Sequence, residues 1–196
     1  AEYYLEQADT RNRRQKFLVE LTRARIHVTN GEFEKERPIQ EELRKQRRKH
    51  PQVLDMLSRC YSELGEWEAL LKLLPVMLKT DLVDAPGAAE LKRHAAVVEL
   101  QKSATAEALK ADWKALPRNM QREPEVVMAF AERAAQLEAP ELTEEVIRNA
   151  LNQELHSGLL LPYSLAGDDD ATKRMRKCEK WVQSHPDDAW LHLALG

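Results

Sequence analysis

Arg25, Arg59 and Arg93 stand at a constant interval of 34 residues. A guanidinium group is planar, always charged, and presents paired donors that match a carboxylate bidentately. If the interval is a structural repeat, the three side chains take equivalent places on successive repeats, late in the first helix of each. They would then line one concave groove and hold the carboxylates of an acidic segment of a partner protein. The competing reading pairs them with the chain's own acids, Asp55 or Glu63 in the case of Arg59.

A second cationic feature is the run Arg44-Lys45-Gln46-Arg47-Arg48-Lys49. At the end of a helix such cations answer the macrodipole. The alternative is contact with an anionic membrane surface or an acidic partner. Lys173-Arg174-Met175-Arg176-Lys177 is similar but falls early in its helix, where dipole compensation does not explain it.

Catalytic chemistry finds little support. The chain has no Gly-x-Ser-x-Gly elbow, phosphate loop, dinucleotide fingerprint or His-Glu-x-x-His. Its carboxylates are spaced to pair with Lys and Arg three or four residues away on solvated helix faces. We therefore expect no enzyme and no catalytic residues. His27, His50, His94, His156, His185 and His192 are dispersed, and Cys178 lies seven residues from His185, too far to share a zinc. No metal and no cofactor are expected. Cys60 and Cys178 are too few for a disulfide framework and read as half-buried thiols.

Composition narrows the class further. Of 196 residues, 32% are charged, 6% are aromatic and only 6 are glycine, which is a helical profile. The net charge of −3 lacks the basic excess of a nucleic-acid module. The longest apolar stretch, Ala69 to Leu78, is interrupted by Lys72 and Pro75, whereas a span needs about 20 residues. No signal peptide is expected from these residues. Residues 1–8 read as the end of a second helix, and 187–196 as the opening of a new first helix. A fragment of a longer protein is expected.

The elements that must position the arginines follow from one recurrence. Gly31-Glu32-Phe33 returns as Gly65-Glu66-Trp67 after 34 residues. Amphipathic stretches flank each motif, so Gly relieves the tight turn and the aromatic opens the second helix and packs back on the first. A helix–turn–helix of this period is the tetratricopeptide repeat, or TPR. Leu54, Leu57, Ser58, Tyr61 and Leu74 fall at its large, large, small, aromatic and large positions, and Ala24 is the small residue of the first unit. Pro51, Pro86, Pro124 and Pro186 mark the starts of first helices.

The resulting pairs are 11–29 with 32–49, 52–64 with 66–80, 88–102 with 104–116, 124–137 with 141–155, and 157–165 with 170–184. Asp84-Ala85-Pro86-Gly87 reads as a turn, Ser103 as a helix N-cap, and Gly167 to Asp170 as a spacer. The fold class is all-α: a TPR-like superhelix of antiparallel helix pairs, with first helices inside. One domain is expected over 1–196, with clear repeats over about 17–84, degenerate ones over about 86–184 and a truncated one from about 188.

Lys49-His50-Pro51-Gln52-Val53-Leu54, Tyr61, Gly65-Glu66-Trp67 and Leu70-Leu71-Lys72-Leu73-Leu74-Pro75 resemble the HemY family of bacterial TPR proteins. Thr22-Arg23-Ala24-Arg25 and Leu159-Leu160-Leu161-Pro162-Tyr163 are similar as well. The resemblance implies a non-enzymatic scaffold or adaptor at the bacterial inner membrane, supporting a late step of protohaem biosynthesis. Its partners would be haem-pathway enzymes, with no nucleic acid. It also implies an anchor upstream of Ala1 and a soluble domain on the cytoplasmic side. It supplies no catalytic residues. A porphyrin- or haem-binding carrier is the alternative.

Overall fold

The computed structural model describes residues 13–166 and 171–195. The expected helix remnant at 1–8 and the spacer at 167–170 lie outside them. The described residues are helical with no strand. The helices are α1 Arg13–Thr29, α2 Phe33–Gln46, α3 Pro51–Glu63, α4 Trp67–Lys79, α5 Ala85–Lys102 and α6 Ala106–Ala115. There follow α7 Pro124–Gln136, α8 Thr143–Leu151, α9 Ser157–Leu165, α10 Ala171–Ser184 and α11 Ala189–Leu195. Single 3-10 turns, Met120–Arg122 and Pro140–Leu142, precede α7 and α8. The chain is an all-α, TPR-like array of helix pairs.

The turn glycines do what their spacing predicts. Gly31 and Gly65 have φ of +72° and +67°. At the first turn Glu32 N–H reaches His27 O at 2.9 Å and Gly31 N–H reaches Val28 O at 3.1 Å. At the second, Glu66 N–H reaches Tyr61 O at 2.8 Å and Gly65 N–H reaches Ser62 O at 3.1 Å. These paired bonds are the Schellman motif, which satisfies the last carbonyls of a helix while the chain reverses.

Two further Schellman turns have no glycine. Asp81 (φ 56°) stands at the end of α4 and Glu138 (φ 55°) at the end of α7. Leu82 N–H bonds Met77 O at 3.0 Å, and Ala139 N–H bonds Ala134 O at 2.9 Å. The degenerate pair α7–α8 keeps the turn geometry at Glu138 without the residue that makes it cheap, and Asp81 does the same where α4 leads into α5.

The chain forms two compact units, 1–92 and 93–196, with the division falling inside α5. In the first, α1, α2, α3 and α4 pack in sequence and α1 also touches α3. Its core includes Phe17, Leu43, Leu54, Leu57, Tyr61, Trp67, Leu70 and Leu74. In the second, α7 packs on α6, α8 and α9, and α9 on α8, α10 and α11. One cluster there joins Ala96, Leu100, Leu109, Val126 and Phe130. Another joins Ile147, Leu151, Leu160, Tyr163, Trp181 and Leu191. Trp113 and Val146 pack against both.

Four expectations are corrected. Asp84 to Gly87 is no free turn: α5 begins at Ala85, and Asp84 Oδ1 caps it by accepting Gly87 N–H at 2.8 Å. The cap of α6 is Thr105, whose hydroxyl accepts Ala108 N–H at 3.2 Å. Ser103 is buried and its hydroxyl donates to Asp112 at 2.7 Å. The helix carrying the basic run stops at Gln46, short of Lys49. Cys60 and Cys178 are wholly buried, not half-buried.

Candidate functional site

Arg25 is exposed on α1 and Arg59 is exposed on α3. Neither makes an ion pair among the described residues, so Asp55 and Glu63 do not hold Arg59. Arg93 is differently placed. Its Nη1 lies 3.5 Å from Glu125 Oε1 and its Nε lies 3.8 Å from Glu123 Oε2. Arg25 and Arg59 belong to the first unit and Arg93 to the second.

The second unit contains an open groove of about 560 Å³. Its walls come from α5, α7 and the start of α9, which are first helices of their pairs. His94 and Gln101 stand on α5; Glu125, Met128 and Glu132 on α7; His156 at the mouth of α9. The spacing of first helices explains the lining: α7 and α9 touch each other, while α8 fills in behind. The histidines were read from sequence only as dispersed. Two of them line one groove because α5 carries His94 and the start of α9 brings in His156.

The first unit has its own groove, about 610 Å³, lined by Glu41, Arg44, Lys45, Arg48, Lys49, Tyr61 and Val76. Tyr61 is 5% exposed and its hydroxyl donates to Glu41 Oε1 at 3.3 Å. Burial, then the nearby Glu41 carboxylate, pushes its phenol up to about 12.

Within the first unit lies a polar cluster that sequence reasoning missed. Glu36 and Gln40 of α2 are both fully buried. Neither carboxylate oxygen of Glu36 has a hydrogen-bond partner, nor does Gln40 Oε1. Gln40 Nε2 donates to Met56 Sδ at 3.4 Å. Burial pushes the Glu36 carboxyl up to about 7, opposed by the positive field of Arg59. Around it, Arg37 pairs with Glu66, and Glu32 receives His27 Nδ1 at 2.7 Å and Lys35 Nζ at 2.8 Å. The Lys35 and His27 contacts hold the Glu32 carboxyl below its ordinary range.

Nucleophilic chemistry at the cysteines is disfavoured. Burial raises the Cys60 thiol to about 12, and its S–H donates to Phe33 O at 3.3 Å. Burial also raises Cys178. A thiol kept protonated is a poor attacking group. Among the described residues no three His, Cys, Asp or Glu side chains group as metal ligands, and no helix is long and apolar enough to cross a membrane.

No family model matches the chain, and no curated protein sequence matches it. Among solved structures, a thermophilic TPR protein of Thermus thermophilus is similar at 14% identity, over 91% of this chain and 96% of that one, with a TM-score of 0.37. The helix-pair architecture described above stands on this chain's own turns and contacts.

Proposed function

We propose that this protein is a non-enzymatic scaffold that binds partner proteins. The observation that carries the reading is the groove of the second unit, walled by first helices and left open to solvent. Repeat arrays expose such surfaces because each pair buries only the faces it shares with its neighbours. Exposed Arg25 and Arg59 supply carboxylate-binding groups in the first unit. In the second unit, Arg93 offers the same group once a ligand carboxylate displaces Glu123 and Glu125.

The segments similar to HemY proteins extend the proposal to a late step of haem biosynthesis, at the bacterial inner membrane and on its cytoplasmic side. Co-purification from a bacterial membrane extract, scored for haem-pathway enzymes, tests that extension. Their absence above a control column removes the haem role and leaves the scaffold. Charge reversal, Arg25→Glu with Arg59→Glu, is expected to weaken partner capture while helicity stays unchanged.

One observation favours the alternative, a porphyrin carrier. His94, His156 and Met128 line a single groove, and each could meet a porphyrin or its iron. Titration with haem separates the two. A saturable Soret shift lost in His94→Ala or His156→Ala supports the carrier; no shift leaves the adaptor.

A further inference from the structure

The basic run at the end of α2 is not one feature. Arg44 and Lys45 lie in the last helical turn, where they answer the dipole. Arg47 is engaged from the surface: its guanidinium lies 4.4 Å from the centre of the Phe17 ring. Arg48 and Lys49 lie beyond the helix, where the dipole gives them no role. Yet Arg44, Lys45, Arg48 and Lys49 all line the same groove of about 610 Å³.

Among the described residues one carboxylate, Glu41, shares that lining, and the Tyr61 hydroxyl already donates to it. Lys45 leans on Glu42 at 3.1 Å, but both side chains are more than half exposed, so the pair is weak and easily exchanged. Four cations thus face one engaged acid, beside the ring of Tyr61 and the side chain of Val76. Like charges gathered along a low-dielectric wall focus a positive potential.

We propose that this groove is a docking site for an acidic peptide segment, one rich in Asp and Glu, of a partner protein. The site goes beyond the scaffold reading, because its cations come from α2 and the segment just after it, in the first unit, with Tyr61 of α3 and Val76 of α4 beside them. Charge complementarity selects the occupant. The recessed lining beside Tyr61 favours a chain that enters a groove over a planar bilayer, which would need the cations on a flat face. The chain's net charge of −3 argues against general attraction of polyanions, so the anion must find this local cluster.

The test is fluorescence anisotropy of a labelled oligoglutamate peptide against the full chain. Binding is expected to be saturable and to weaken as salt rises. Arg44→Glu with Arg48→Glu is expected to weaken it about tenfold or more, with the circular dichroism spectrum unchanged. Arg44→Gln with Arg48→Gln is the milder pair should the reversal unfold the chain. Arg25→Glu with Arg59→Glu is expected to leave this binding intact. Loss on that pair instead would move the anion to the first helices, overturning this site while sparing the scaffold reading. Unchanged binding in the Arg44 and Arg48 variants also overturns it. So does tighter binding to phosphatidylglycerol vesicles than to the peptide, since the groove would then serve a membrane.

Discussion

Glu36 holds, in the first helix pair, the place that Leu70 holds in the second, 34 residues later, and both side chains are buried. The same offset maps Gln40 onto Leu74, and both of these are buried too. Two polar residues thus fill core positions that the neighbouring repeat fills with leucine. Neither carboxylate oxygen makes a well-formed hydrogen bond there, and the positive field of Arg59, then the adjacent Gln40 amide, offset only part of the burial. Burying an ionised group without partners is costly, so it holds its proton instead.

That relationship sets a pH dependence. The carboxyl is raised in the folded state to about 7, against 4.5 for its ordinary value. Between those values the folded chain holds a proton that the unfolded chain has released. Stability from this group therefore falls as pH rises through that window, by about 3 kcal/mol in all, and is level above it. Urea melts across the window are expected to show a downward trend that Glu36→Gln removes. An identical trend in the variant would refute the assignment.

Restoring the pattern of the second repeat should stabilise the first. Glu36→Leu with Gln40→Leu replaces a partnerless acid and a half-satisfied amide by the residues their counterparts use. The gain at neutral pH is expected to be about 1–4 kcal/mol, the range found when buried ionic groups give way to well-packed apolar ones. The urea midpoint reports it; a lower midpoint means that the two sites differ in shape and that leucine overpacks the first.

The turns without glycine make a second stability test. A non-glycine residue in the left-handed region costs about 1–2 kcal/mol. Glu138→Gly should recover about 1 kcal/mol of that, because φ is 55° and the side chain is exposed. Gly65→Ala should lose a similar amount. A Cβ at Gly65 would meet nothing within 4 Å, so the loss is one of backbone conformation and not of collision. Thermal midpoints moving in opposite directions check both.

Trp67 is expected to be an anchor of the first unit. It opens α4, is 7% exposed, and follows the left-handed Gly65 turn. Trp67→Ala should cost about 3–5 kcal/mol by leaving a cavity. Neighbouring pairs should loosen as well, since repeats stabilise one another through shared faces. Hydrogen exchange resolved by helix tests this: faster exchange is expected in α3 and α4 first, and no change in either would contradict the role.

The helical hairpins were legible in the sequence because the physics that makes them is local. Gly31 and Gly65 announce left-handed turns, Pro51 and Pro124 announce helix starts, and most helix ends fall within a few residues of expectation. Local signals failed where a residue acts against type. Asp81 and Glu138 take the glycine conformation with no compositional mark, held by the turn bonds around them. Ser103 and Thr105 are equally good caps by chemistry, and the buried Ser103–Asp112 bond is what separates them. Glu36 and Gln40 read as solvated by type, and only the closing of α3 over α2 buries them. The basic run was visible as charge, but its division among dipole, Phe17 and groove depended on where α2 stops and what stands beside it. Backbone reversal depends on a residue and its immediate neighbours, so the chain alone determined it. Burial and electrostatic pairing depend on groups brought near from other helices, so only the tertiary structure decided them.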